Sequence, residues 1–271
     1  MDKIHIKDLE LYCHHGVFPE ENKLGQKFLI SATLYTDVRR AGQTDELSES
    51  IHYGEVSHMI KSYMEGHTFK LLEAVVEGLA KELLMQVPRL ERIHLELKKP
   101  WAPVGLPLDT VSVEIERGWH RAWLSIGSNM GDKSAYLDRA VAELKELPGC
   151  QVEKISDYLV TEPYGGVEQD EFLNGALQIR TLLTPRELLE QIHKIEANSG
   201  RERVVRWGPR TLDIDIIFYD NLVLDEEDLH IPHVEMHKRD FVLTPLSQIA
   251  PYKRHPLLLK TVEELRGEIN G

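Results

Sequence analysis

Ile4 and Ile6 alternate with His5 and Lys7 over residues 4–11, and apolar positions return every second residue over 28–35, after a turn signal at 22–25. A period of two marks half-buried strands. The period then changes. Leu71, Leu72, Val75, Val76, Leu79 and Leu83 recur at helical spacing and form one broad apolar face, which Pro88 closes. Ile93, Leu95 and Leu97 resume the strand period, as do Val111, Val113 and Ile115 beyond a proline-rich loop over 98–107. The first stretch reads strand, strand, helix, helix, strand, strand.

The pattern restarts over 116–121. Residues 123–127 form a short apolar strand, and Leu137, Ala140, Val141, Leu144 and Leu147 a helix stripe ended by Pro148-Gly149. A strand follows near 172–182. Thr184-Pro185-Arg186-Glu187 is a capping box with proline at the first helical position. That helix runs through Leu188, Leu189, Ile192 and Ile195 to a stop near Gly200. Residues 212–219 are the next strand. The break near residue 119 predicts two domains, 1–118 and 119–271, in an α+β chain.

Composition narrows the function classes. The 271 residues carry a net charge of −13, which disfavours broad binding to nucleic acid or acidic membranes. No run of about 18 apolar residues occurs, and the N-terminal strand lacks a signal-peptide core. Cys13 and Cys150 are too few for a disulfide framework or a zinc cluster. A cytoplasmic protein with two unpaired thiols is the plain expectation.

Against that acidic background, Arg201, Arg203, Arg206 and Arg210 crowd one loop broken by Gly208-Pro209. Guanidinium forks match phosphate oxygens. Strand alternation then puts Asp213 and Asp215 on one face, with Leu212, Ile214 and Ile216 on the other. Two adjacent carboxylates repel unless a cation sits between them. An all-oxygen donor set beside phosphates suits Mg2+. Neither G-x-x-x-x-G-K-[ST] nor G-x-G-x-x-G occurs, so any nucleotide is held without a P-loop or a dinucleotide fold. His230, His233 and His237 have a spacing that would suit zinc on a helix, but Pro232 interrupts them.

The run Trp207-Gly208-Pro209-Arg210-Thr211-Leu212-Asp213-Ile214-Asp215 resembles the signature of 6-hydroxymethyl-7,8-dihydropterin pyrophosphokinases. Further matches follow in order: Ile126-Gly127-Ser128-Asn129, Thr161-Glu162-Pro163, Phe172-Leu173-Asn174, Ile231-Pro232-His233 and Arg239-Asp240-Phe241-Val242-Leu243. The resemblance implies a ferredoxin-like αβα sandwich that moves the β,γ-diphosphate of ATP onto the pterin hydroxymethyl group and releases AMP. It implies two Mg2+ ions on Asp213 and Asp215, with Arg201 and Arg210 on the transferring phosphates. ATP would meet Glu196, Trp207, His233 and Arg239 as well as the two loop arginines. The pterin would meet Thr161, Asn174, Phe172 and Phe241. Phe172 stands where that pattern has tyrosine, and Val234 where an aromatic can occur.

In the first domain single residues have bland explanations, since a carboxylate such as Glu73 in a first helical turn simply complements the helix dipole. Their order is more specific. His15-Gly16, Glu21-Asn22, Gly25-Gln26-Lys27-Phe28, His52-Tyr53-Gly54-Glu55, Leu71-Leu72-Glu73 and Lys98-Lys99-Pro100 resemble dihydroneopterin aldolase. That implies a T-fold, two helices on a four-stranded antiparallel sheet, and no cofactor. Glu73 would take the N–H pair of the pterin, with Leu72 and Tyr53 beside the ring. Lys99, if burial disfavours its charged form, and Tyr53 would move protons, and Glu21 would bind the side-chain hydroxyls or help tune Lys99. The resemblance implies a homo-oligomer, a ring of four or two stacked rings, with sites shared between subunits. Rival readings are a scaffold or an epimerase in the first domain, and an RNA-binding arginine loop in the second.

Overall fold

A computed structural model of the chain describes residues 1–162, 170–200 and 210–270. The chain divides into two compact units, Met1–Trp119 and His120–Gly271.

The first unit runs β1 (Asp2–Cys13), α1 (Pro19–Leu24), β2 (Gln26–Thr36), α2 (Arg39–Thr44), α3 (Tyr53–Gly66), α4 (Leu72–Gln86), β3 (Arg92–Lys99) and β4 (Val111–Gly118). The strands form one antiparallel sheet in the order β1-β2-β3-β4. In β2 and β3 every second residue is buried, so Phe28, Ile30, Ala32, Leu34, Ile93, Leu95 and Leu97 line one face. Val56, Ile60 and Met64 of α3, with Val75, Val76, Leu79 and Leu83 of α4, are buried on the helix side. This is the T-fold element order. Period reading missed the short helices α1 and α2, which lack an apolar stripe; only Glu21 of α1 is buried in them. In β1 the alternation slips between Ile6 and Leu9, where Asp8 takes a positive φ of 49°.

The second unit runs β5 (His120–Ser128), α5 (Lys133–Glu146), β6 (Cys150–Ile155), β7 (Leu159–Thr161), β8 (Phe172–Thr181), α6 (Pro185–Asn198) and β9 (Asp213–Tyr219). It continues with β10 (Leu224–Asp225), β11 (His230–Ile231), α7 (Asp240–Ile249) and α8 (Val262–Asn270). The main sheet has the order β6-β8-β5-β9, all antiparallel, with β7 added beside β8. A βαβ–βαβ chain with the first and third strands central is the ferredoxin-like arrangement. One face packs against α5 and α6 through Leu124, Ile126, Leu137, Leu144, Leu188, Ile192, Ile214 and Ile216. The other packs against α7 and α8 through Trp123, Ala176, Ile217, Phe218, Val242, Leu246 and Leu265. The core therefore has two layers around one sheet. The capping box at Thr184 and Glu187 forms as the residues predict. Among the described residues no helix is long and apolar enough to cross a membrane.

Candidate active sites

Strand parity explains the first site. Lys99 ends β3 on the same face as Ile93, Leu95 and Leu97, and Gln26 opens β2 on the face of Phe28 and Ile30. Both polar heads therefore emerge at the end of an apolar layer. Lys99 is 7% exposed, and its Nζ lies 2.6 Å from Oε1 of Glu21, itself 9% exposed. Glu21 also accepts from Gln26 Nε2 at 2.9 Å and from the Phe18 N–H at 3.1 Å. Burial alone would raise its carboxyl, but Lys99 and these donors outweigh it and hold the group below the usual carboxylate range.

The loop 14–16 completes this arrangement. Asn22 Nδ2 donates to the carbonyls of His14 and Gly16, both at 2.9 Å, and the His15 carbonyl accepts from Lys99 Nζ at 3.3 Å. Gly16 is required for space: a Cβ there would stand 2.3 Å from Glu21 Oε2. The His15 imidazole is fully buried, and burial first, then Lys99, pushes it down to about 4. It is neutral at ordinary pH, and its Nδ1 accepts from the Phe69 N–H at 3.3 Å.

Of the residues expected here, Lys99 and Glu21 are brought together. Tyr53 opens α3 at 64% exposure, and Glu73 is exposed in the first turn of α4 beside buried Leu72. Among the described residues neither side chain bonds to Lys99 or Glu21. Gln26 and Asn22 were missed as contributors. The parity of Gln26 with Phe28 was a usable signal; Asn22 offered none beyond its place in the quoted motif.

The second site lies on the sheet face opposite α5 and α6. Ile214 and Ile216 are buried in that core, so Asp213 and Asp215 project from the other face, both half-buried. Register lines up Asp213, Gly127 and Asn174 on three adjacent strands. Gly127 lets the Asn174 side chain lie over this row, because a Cβ there would meet Asn174 Oδ1 at 2.6 Å. Asn174 Nδ2 donates to Thr161 Oγ1 at 2.7 Å, and Phe172 pairs with Thr161 across β7 and β8. Thr161, Phe172 and Asn174 thus form one cluster, with the two aspartates across the glycine.

Electrostatics set the aspartates apart from an ordinary exposed pair. Burial, and then the charge of Asp213, push the Asp215 carboxyl up to about 7, against the opposing pull of Arg239 and Arg210. The Arg210 guanidinium contacts Asp213 directly. A proton on Asp215 and an arginine on Asp213 hold the places a hard divalent cation would take. The donor set therefore fits Mg2+, with the remaining ligands coming from phosphate and water.

Arg239, at the start of α7, pairs with Glu235 and lies 5.7 Å from the centroid of the Phe241 ring. His233 donates its N–H to the Ile217 carbonyl at 3.1 Å; burial, then Arg239, push its ring down to about 4. Glu196 is buried near the end of α6, and its Oε1 accepts from the Ile214 N–H at 2.9 Å. It braces the aspartate strand from behind. His230 pairs instead with Asp225, and His237 lies near His255, so the three histidines have different neighbours. Among the described residues no group of three or more His, Cys, Asp or Glu is gathered for a metal. Arg201, Arg203, Arg206 and Trp207 lie outside the described residues.

Residues 123–251 match the family model of 7,8-dihydro-6-hydroxymethylpterin-pyrophosphokinase, and residues 4–116 that of dihydroneopterin aldolase. The chain is 35% identical to the folic acid synthesis protein FOL1 of Dictyostelium discoideum, over 98% of this chain but 44% of that one. It is 45% identical to the 2-amino-4-hydroxy-6-hydroxymethyldihydropteridine pyrophosphokinase of Bacillus subtilis, over 47% of this chain and 77% of that one. Among solved structures, E. coli dihydroneopterin aldolase in complex with neopterin aligns at 30% identity, covering 44% of this chain and all of that one, with a TM-score of 0.40. The chain spans less than half the length of the curated relatives that it matches nearly end to end. Its first unit belongs to the dihydroneopterin aldolase family, and its second to the 7,8-dihydro-6-hydroxymethylpterin-pyrophosphokinase family.

Proposed function

We propose that the chain is a bifunctional folate-synthesis enzyme whose two units act on successive dihydropterins. The observation that carries this reading is the row Asp213–Gly127–Asn174, which sets a carboxylate pair for metal and phosphate across a glycine from a buried amide and its threonine partner. A flat heterocycle read by Asn174 and Thr161, against Phe172 and Phe241, would point its hydroxymethyl group toward the aspartates. ATP would lie over Arg210, Arg239 and His233, with Arg201, Trp207 and Glu196 as further contacts. Two Mg2+ ions on Asp213 and Asp215 would neutralise the phosphate oxygens. The hydroxymethyl oxygen bonds to the β-phosphorus, the bond from that phosphorus to the α,β-bridging oxygen breaks, and AMP leaves with the oxygen. The hydroxyl proton is released. Arg210 follows the charge that develops on the phosphates, an interaction worth most in the transition state.

In the first unit, 7,8-dihydroneopterin is cleaved to 6-hydroxymethyl-7,8-dihydropterin and glycolaldehyde. Glu73 binds the N–H pair of the pterin bidentately, with Leu72 beside the ring. A proton leaves the side-chain hydroxyl, the carbon–carbon bond breaks, and its electron pair enters the ring system. Reprotonation of the side-chain carbon completes the product. Lys99, held by Glu21, moves protons at the ring, and Tyr53 shuttles the hydroxyl proton. Exposed Tyr53, with exposed Val17, Phe18, Leu24, Leu71 and Trp101, supports a homo-oligomer in which a neighbouring copy completes each site. The location would be cytoplasmic.

The test is direct. Incubation with 7,8-dihydroneopterin alone should release glycolaldehyde. Addition of ATP and Mg2+ should then produce AMP. Glycolaldehyde without any AMP, or AMP only when hydroxymethyldihydropterin is supplied, would remove one half of the reading.

A further inference from the structure

Asn129 follows β5 directly and is 1% exposed, yet it belongs to none of the groups assigned a contact with pterin, ATP or metal. Among the described residues its hydrogen bonds reach two other chain segments. The Oδ1 atom accepts from the Arg210 N–H at 2.7 Å, and the Asn129 N–H donates to the Arg210 carbonyl at 3.1 Å. Its Nδ2 points to the Asp170 carbonyl at 3.4 Å. Arg210 stands three residues before Asp213, and Asp170 four before Asn174. One planar amide, a donor and an acceptor in a single rigid head, therefore ties the ends of β5, β8 and β9 together.

We infer that Asn129 is a positioning residue for diphosphoryl transfer, acting through Arg210. Because Arg210 is gripped at both its N–H and its carbonyl, its guanidinium has a fixed point from which to reach Asp213 and the phosphates. Without that grip the arginine keeps its charge and loses its register with the aspartates. Misplacement of about 1 Å in such a group costs on the order of 10²-fold in rate. The effect should fall on kcat, since a transition-state contact contributes little to ground-state binding. A buried amide that only filled space would be replaceable by leucine, which has nearly the same shape.

The inference rests on the second unit being the pyrophosphokinase, and the experiment separates the two claims. AMP release from ATP and 6-hydroxymethyl-7,8-dihydropterin is measured for the wild type, Asn129→Leu and Asn129→Asp, with glycolaldehyde release and thermal melting on the same samples. A wild type that makes no AMP overturns the enzymatic reading itself. With an active wild type, Asn129→Leu should lose about 10–100-fold in kcat with little change in either KM. Asn129→Asp, which keeps the acceptor for the Arg210 N–H, should recover most of that loss. An unchanged kcat in Asn129→Leu overturns the inference. So does a loss in Asn129→Asp as large as in leucine, in a protein that melts like the wild type. If Asn129→Leu does not fold, Asn129→Asp and Asn129→Ser decide alone: aspartate must stay near wild-type kcat, and serine, too short to reach Arg210, must fall below it.

Discussion

The two units solve opposite electrostatic problems. In the first, a lysine and a glutamate of opposite charge face each other at 2.6 Å, both nearly closed off from solvent. In the second, two aspartates of like charge share one face of a strand, and Asp215 is driven toward its protonated form. The first site is neutralised by its own chain. The second is completed by what binds to it. A proton-transfer reaction needs groups whose charge is already placed, whereas phosphoryl transfer needs carboxylates that can hold the metal cations which neutralise the phosphates.

Substitutions that break this contrast come first in size. Asp213→Ala or Asp215→Ala should lower AMP release by about 10³-fold or more, because both proposed metal carboxylates lie in this pair. Glycolaldehyde release should be unchanged. Lys99→Ala should do the reverse, and loss of both activities in a folded protein would break the two-site account. Next, Lys99→Met or Glu21→Gln alone strands a buried charge and should destabilise the first unit by about 2 kcal/mol in denaturant melts. The double variant should be milder than the sum of the singles; strict additivity would show that the pair does not interact.

A third set sharpens the contrast through pH. The Asp215 carboxyl rises from 3.8 to about 7 on folding. The metal-free folded unit therefore holds the extra proton, and this contribution, complete below about 4, is lost as pH rises through about 7. Glu21 is depressed below 4.5, so its contribution is present above that value and lost as pH falls through its lower folded value. Relative to Asp215→Asn, wild-type stability should decline from pH 4 to pH 7; relative to Glu21→Gln, it should decline on acidification. Differences against each variant cancel the histidine contributions, which both units share. Two slopes of the same sign would contradict the contrast. The smallest expected effect is Gly16→Ala, whose methyl group must push Glu21 from its place 2.6 Å from Lys99. It should slow glycolaldehyde release by about tenfold and leave AMP release alone.

Both folds were legible because their cores follow strict periods. β2 and β3 alternate along their length, and the α5 and α6 stripes keep helical spacing. Short α1 and α2 were not, since helices of six residues with no apolar face leave no periodic trace. Asp213 and Asp215 were visible as a break in an apolar strand. Lys99 carried the same kind of signal, a charge in the parity of the core. Asn129 was invisible as a contact, because what it holds, the backbone of Arg210, is 81 residues away and has no side-chain signature. Glu196, an ATP contact by the family resemblance, also gives its carboxylate a backbone partner in β9, which no residue pattern announces. The bulge that puts both Ile217 and Phe218 against α7 arises from pairing with β5, which alternation alone does not contain.

The difference between the sites is tested most directly by removing divalent cations. Wild-type protein in excess EDTA, given 7,8-dihydroneopterin and ATP together, should release glycolaldehyde at its full rate and make no AMP. Mg2+ added back beyond the chelator should restore AMP without altering glycolaldehyde. If EDTA stopped glycolaldehyde release, or left AMP release intact, the account of one self-neutralised site and one cation-completed site would be wrong.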